Sequence, residues 1–158
     1  MSDNYTRIAD TISGHEGKAY VTRNGQNREL FELSALSSQL DLIVVAKRML
    51  GNRMTQHKVV GAEGTGSLTM YFMNSEAFNQ TIEYLKTGRY SGIKVQVKNE
   101  DPTSTIGKQE VVLTNVILAS IPTAILDDSS DDPITFDTDF TYDGIENLES
   151  FQLPENYR

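Results

Sequence analysis

Cysteine and tryptophan are both missing from this chain of 158 residues, and histidine occurs only as His15 and His57. Without a thiol there is no disulfide, no thiolate nucleophile and no cysteine-ligated metal. The same absence suits a protein that must persist outside a reducing cell. A metal site needs about three or four converging ligands, so two isolated histidines read as surface or hydrogen-bonding groups. No apolar run approaches the ~18 residues of a membrane span, and no basic-then-apolar leader opens the chain. The expectation is a protein made in the cytoplasm, with no membrane anchoring. Glycine and proline together number 15 and hydrophobic residues reach 38%, which argues against both disorder and a fibrous repeat. No internal repeat stands out. The length fits one domain, 1–158, that buries roughly two-thirds of its unfolded surface.

Signals for catalysis are missing as well. Gly61, Gly64 and Gly66 imitate a phosphate loop, but such loops run into a helix N-terminus, often with a lysine, and here a strand follows. Asp127, Asp128, Asp131 and Asp132 lack the alternating order and closing glutamate of a calcium loop, so they read as a solvated turn. Asp137 and Asp139 share one strand face without a pocket or a proton-shuttling partner. No serine sits in a nucleophile elbow. Asn79-Gln80-Thr81 is a glycosylation sequon, discounted because it lies in a helix. No enzyme, cofactor or metal is expected.

Charge is unevenly placed. The net charge of −8 divides into +1 over residues 1–126 and −9 over 127–158. An acidic segment repels phosphate, so tight binding of nucleic acid is not expected, although repulsion is useful where a polyanion must pass without sticking.

What the chain does contain is β-strand pattern. Lys18–Thr22 forms a short strand closed by Asn24-Gly25, and a second follows at Glu29–Leu33. Leu36–Lys47 reads as a long strand with one face buried throughout, and Ser37, Gln39 and Asp41 begin the other. Leu68, Met70 and Phe72 alternate with Ser67, Thr69 and Tyr71. Residues 75–87 form the one helix, with Asn74-Ser75 before it, an apolar stripe through Ala77, Phe78, Thr81, Ile82 and Leu85, and Gly88 after it. Ile93, Val95 and Val97 alternate with Lys94, Gln96 and Lys98. Gln109–Ile121 is apolar on both faces and belongs between layers or against a neighbouring subunit. Ile134, Phe136, Phe140 and Tyr142 alternate around Thr138 with Thr135, Asp137, Asp139, Thr141 and Asp143. The first dozen residues read as loosely held, and Ile145–Arg158 is too sparse in apolar residues to assign.

Between the long strand and Leu68 lies a polar stretch with four glycines. A polar arm of that length needs partners for its backbone, so it reads as an arm that reaches other copies of the same chain.

The words GNRMTQHKVVGAEGTGSLTMY (Gly51–Tyr71) resemble the corresponding stretch of the XkdM-like tail tube proteins. These form the inner tube of contractile tails in phages, defective prophages and phage-tail-like bacteriocins. TISGHEGKAY (Thr11–Tyr20) is similar to that family's opening, and PITFDTDF (Pro133–Phe140) with LPEN (Leu153–Asn156) to its close. Asn24–Leu36 and the stretch from Tyr142 to Pro154 depart from it. The resemblance implies a mainly β fold, a β-sandwich or partial barrel with one flanking helix, like the ring proteins of type VI injectors. It implies a barrel closed across a hexameric ring, with rings stacked into a tube.

The resemblance also implies that the inter-subunit, ring-stacking arm is 51–66, with Gly51, Arg53, Met54, His57, Lys58, Gly61, Glu63, Gly64 and Gly66 as its contact-forming residues. Ser67, Thr69, Lys94, Gln96, Lys98, Thr135, Asp137, Asp139 and Thr141 are the candidates for the lumen wall. Implied partners are other copies, a tail sheath protein outside, a tape measure protein and DNA in the lumen, and baseplate and tail terminator proteins at the ends. The protein would assemble in the host bacterial cytoplasm and end in a virion tail or a released tail-like particle. Two other readings stand beside this one: a ring component of a type VI-like injector, and a small β-sandwich binding module.

Overall fold

The computed structural model describes residues 5–129 and 131–158, so residues 1–4 of the loosely held opening and Ser130 of the acidic turn lie outside it. Among the described residues there are eight strands and one α-helix: β1 (Gly17–Arg23), β2 (Gln26–Glu29), β3 (Leu33–Arg48), β4 (Thr55–Tyr71), α1 (Glu76–Thr87), β5 (Ile93–Glu100), β6 (Lys108–Leu118), β7 (Thr135–Tyr142) and β8 (Gly144–Glu149). All pairings are antiparallel. The strands follow the order β2-β1-β5-β6-β7-β4-β3, with β8 also on β6. The path is open, because β2 and β3 stand at its two ends. The fold is mainly β, as expected, and the sheet within one chain is not closed.

β6 explains the two-faced apolar pattern of Gln109–Ile121. Its first part pairs with β5 and β8, whereas Ile117 and Leu118 pair with Thr141 and Phe140 of β7. It therefore belongs to both layers, and its side chains meet apolar neighbours on either side. One layer is β2-β1-β5-β6-β8 and the other β6-β7-β4-β3. Val21, Val95, Leu113 and Val116 from the first pack against Leu68, Phe140 and Tyr142 from the second. The β7 alternation holds residue by residue: Thr138, Phe140 and Tyr142 are buried and Thr135, Asp137, Asp139 and Thr141 exposed.

Several expectations are corrected. Asn24 (φ 50°) and Gly25 (φ 79°) make a two-residue hairpin turn, so β2 starts at once at Gln26 rather than at Glu29. The long strand is present as β3, but its face is not buried throughout, because beyond Ser38 the strand leaves the body. Residues 55–66 are not a loop: they are the first part of β4, paired to β3 along their length. The unassigned end contains β8. Among the described opening residues, Asp10 and Ser13 are tied to the loop after β5. Asp10 is buried and accepts from Thr105 Oγ1 at 2.7 Å, and Asp101 accepts from Ser13 N at 3.1 Å. Arg158 reaches the Thr105 carbonyl of the same loop.

The helix lies where the sequence places it, with Gly88 (φ 74°) at its C-cap. Asn74 Oδ1 accepts from Glu76 N at 2.7 Å. The stripe is only half-buried, and Leu85 stays exposed. Ion pairs hold α1 instead. Arg28 bridges Glu32 at 3.0 Å and Glu76 at 2.8 Å, and Arg23 lies 3.7 Å from Glu76. Hydrogen bonds from Arg28 hold the Glu76 carboxyl below its ordinary range, while the guanidinium itself is raised. Glu32 is 2% exposed, so Arg28 is the partner that makes its burial tolerable.

Arg28→Met should therefore destabilise the fold by about 3 kcal/mol in urea unfolding, because it strands a buried carboxylate. Adding Glu32→Met should return most of that loss. Acid should act at the opposite end of the sandwich. Hydrogen bonds, first from Thr105 to Asp10 and from Thr103 to Asp101, set both carboxyls below the ordinary value of 3.8. Their contribution is complete above that value and lost as pH falls through the lowered folded values. Amide exchange of residues 7–16 should accelerate below about pH 4, before the core opens.

Candidate functional site

The structure converts the expected arm into a long β-hairpin. β4 pairs with β7 only from Gly64, opposite Tyr142, to Tyr71, opposite Thr135. Thr55–Glu63 continue past the end of β7, with β3 as their one strand partner among the described residues. Nine residues at about 3.4 Å each carry the hairpin ~30 Å beyond the body. Gly51 (φ 85°), Arg53 and Met54 occupy the turn at its tip, while His57, Lys58, Gly61 and Glu63 lie in β4 opposite Ala46, Val45, Ile43 and Asp41.

Gly64 and Gly66, which imitate a phosphate loop in the sequence, are both in regular strand. Their reason is close approach. A Cβ at Gly64 would enter the Tyr142 ring, and one at Gly66 the Phe140 ring and the Ser37 carbonyl. The two rings therefore lie over β4, and Tyr142 reaches β3, where its Oη donates to the Gln39 carbonyl at 2.8 Å. Burial, with Asp41 nearby, raises the Tyr142 hydroxyl above its ordinary pKa. This joint fixes the direction of the arm.

The two faces of the sheet at and beyond the joint differ. Leu40, Leu42 and Val44, paired with Gly64, Ala62 and Val59, share the face that continues from the core. Nothing among the described residues covers it: Leu40, Leu42, Val44 and Val59 are 48, 61, 50 and 53% exposed. The opposite face is polar beside β7 and turns apolar farther out, at Ile43 and Val45. Ser37, Gln39 and Asp41 of β3 pair with Ser67, Thr65 and Glu63 of β4, and Thr65, Ser67 and Thr69 pair with Thr141, Asp139 and Asp137 of β7. Asp137 accepts from Thr69 Oγ1 at 2.5 Å, and Asp41 from Thr65 Oγ1 at 3.2 Å. Beside β7 four carboxylates (Asp41, Glu63, Asp137, Asp139) share this face with hydroxyls, and Lys47 and Lys58 follow on the same face toward the tip of the arm. Asp41 and Glu63 stand directly opposite, an arrangement that costs stability.

The nine residues expected along a lumen wall do not form one surface. Ser67, Thr69, Thr135, Asp137, Asp139 and Thr141 are on this acidic face. Lys94, Gln96 and Lys98 are on β5, alternating with the core residues Ile93 and Val95. They point out of the other layer, away from the same core, where Lys98 pairs with Glu100 at 3.0 Å. The lysines of β5 and the carboxylates of β4 and β7 therefore face opposite ways. Ser37, Gln39, Asp41, Glu63 and Thr65 join the acidic set. Their alternation was visible in the sequence, but their place beside β7 depends on pairing register.

The arrangement offers little else for chemistry. A polar cleft of about 620 Å³ between the β1–β2 turn and α1 is lined by Arg23, Arg28, Glu76 and Gln80, the residues that hold the helix. Among the described residues no group of three or more metal-ligating side chains converges, and no helix is long and apolar enough to cross a membrane. His15 and His57 remain on the surface.

Gly66→Val should cost about 1–3 kcal/mol, the size of an overpacked core position, because the Phe140 ring has no room to withdraw. Tyr142→Phe should cost about 1 kcal/mol through loss of the Gln39 bond. Both are read from urea unfolding followed by tyrosine fluorescence, and equal stabilities for Gly66→Val and the parent would contradict the packing argument.

A family model described as "Phage tail tube protein" matches residues 4–149. The chain is 29% identical over 149 residues to the phage-like element PBSX protein XkdM of Bacillus subtilis (strain 168), covering 94% of each chain. It is 28% identical over 152 residues to the uncharacterized protein YqbM of the same organism, covering 96% of each. Its fold is similar to a chain of the sheath-tube complex of an extracellular contractile injection system in the extended state (TM-score 0.67, 11% identity, 90% of this chain and 95% of that one). It is also similar to a chain of the anti-feeding prophage baseplate (TM-score 0.62, 15% identity, 94% and 97%). Structural rather than catalytic by family, and carrying a projecting hairpin beside an acidic sheet face, the chain belongs to the phage tail tube proteins.

Proposed function

We propose that six copies of this tail tube protein close into a ring, that rings stack into a rigid tube, and that the face bearing Asp41, Glu63, Asp137 and Asp139 lines its lumen. The observation that carries this reading is the hairpin arm. It projects ~30 Å with an apolar face and open strand edges that one chain cannot cover. Covering the exposed parts of Leu40, Leu42, Val44 and Val59 contributes on the order of 1 kcal/mol each. Pairing the open edges between copies removes the unpaired backbone groups that otherwise invite uncontrolled association. Residues 51–66 then belong to the inter-subunit arm as its tip and its β4 strand.

A lumen wall of carboxylates and hydroxyls keeps phosphates at a distance, so a polyanion passes without adhering. This makes the tube a conduit for DNA or ions, driven through a target envelope when a surrounding sheath contracts. A sheath outside, a tape measure protein within, and baseplate and terminator proteins at the ends are the partners of such a tube. The fold likeness to chains from sheath-tube and baseplate structures supports the first and third of these. Assembly in the host cytoplasm and release in a tail or tail-like particle follow from the same reading.

Purified protein should form six-fold rings or stacked tubes by negative-stain electron microscopy, and these should melt at higher temperature than the isolated subunit. A chain that stays monomeric at high concentration would overturn the proposal. Asp137→Lys with Asp139→Lys should yield tubes that retain added duplex DNA at low salt and release it at high salt, unlike the parent. No change in retention would remove the acidic face from the lumen.

A further inference from the structure

The sheet forks at Tyr142. On one side β4 leaves β7 and runs on with β3 as the arm. On the other, the chain passes through Asp143 into β8, which pairs with β6. Among the described residues the edge of β8 that faces away from β6 has no strand partner. Six residues, about 20 Å, thus present backbone donors and acceptors ready for an added strand.

The side chains along this edge describe its occupant. Ile145 and Leu148 are 42 and 54% exposed. Residues 143–149 hold three acids (Asp143, Glu146, Glu149) and no base. Lys108 reaches Glu149 at 3.3 Å and Glu110 at 3.4 Å, which leaves Glu146 exposed to a partner. The arm has the opposite character: residues 42–62 carry Lys47, Arg48, Arg53 and Lys58 with no acid. The faces correspond too. On β8, Ile145 lies opposite the buried Leu113 and Glu146 opposite Val112 on the outward face. On the arm, Leu42 and Val44 share the apolar face, and Val45, paired with Lys58, and Lys47, paired with Gln56, share the other. Setting the apolar faces side by side brings Lys47 and Lys58 to the side of Glu146.

A chain's own arm cannot take this place, because it is clamped opposite Tyr142 and diverges from β8. We propose that the open edge of β8 receives the hairpin arm of a second copy, which adds to the sheet as a further strand. The inference rests on the tube reading and sharpens it by naming the receiving surface. Arm and β8 are different surfaces, so the contact is head-to-tail and propagates around a ring instead of ending at a dimer.

The lack of native cysteine makes the test direct. Val45→Cys and Leu148→Cys subunits are mixed in equal amounts, assembled and treated with a short bismaleimide. A covalent dimer should appear in the mixture and in neither variant alone. Tubes that form without the dimer would overturn the β8 contact while leaving the tube reading intact, and failure of the parent to form any ring would overturn both. In the uncross-linked protein, Lys58→Glu and Glu146→Lys should each raise the concentration needed for assembly roughly two- to fivefold, the size of one exposed ion pair. Combining the two should restore it, and a double variant no better than the singles would also count against the contact.

Discussion

Two aromatic rings lying over two glycines determine how this chain presents itself to its neighbours. Phe140 and Tyr142 occupy the space that side chains at Gly66 and Gly64 would fill, and Tyr142 continues across β4 to the backbone of β3. This one joint seals the end of the core and locks three strands in register. That register lines Asp41 and Glu63 of the hairpin up with Asp137 and Asp139 of β7 on one surface. It also aims the hairpin away from the body. Core, arm and acidic face are therefore consequences of the same packing, not separate features that happen to be adjacent.

The isolated subunit bears costs that only assembly relieves. Like charges face one another across β3 and β4, apolar side chains of the arm meet water, and β3 and β8 each leave an edge open. In the proposed tube, burial and strand addition by further copies remove the second and third costs. The first remains, and in the proposed tube it belongs to the surface that would repel a passing polyanion. α1 follows the same logic from the other side. Ion pairs rather than a deep apolar seat hold it, so it contributes a firm outer surface without competing for the core.

Local chemistry was legible in the sequence wherever one element determined its own structure. The β7 alternation, the α1 stripe with Gly88 and the Asn24-Gly25 turn could be read directly, and the resemblance of Gly51–Tyr71 to tail tube proteins pointed to the family. Residues whose meaning depends on a distant strand were not legible. Gly64 and Gly66 resembled loop punctuation because the rings above them arrive from residues 140 and 142. Lys94, Gln96 and Lys98 looked equivalent to Ser67 and Thr69, since alternation alone does not distinguish two outward faces of a sandwich. β8 was invisible: Gly144-Ile145-Glu146-Asn147-Leu148-Glu149 has little β propensity, and pairing to β6 supplies what its composition lacks.

That the arm is strand and not loop changes the thermodynamics of assembly. Ordering a flexible segment costs about 1–2 kcal/mol per residue in backbone entropy, so fixing Thr55–Glu63 at the moment of contact would cost on the order of 10 kcal/mol per subunit. A two-stranded hairpin is marginal by itself, but here its base is clamped by Tyr142 and Phe140 and its register is continuous with the sheet. Most of the ordering therefore takes place during folding of the subunit, before any partner arrives. The gain from burying Leu40, Leu42, Val44 and Val59 is then available to hold rings together rather than to fold the arm. A rigid arm also transmits geometry: its direction, set at the joint, fixes where each neighbour must sit. A tube that has to stay straight under axial load needs that property more than it needs extra contact area.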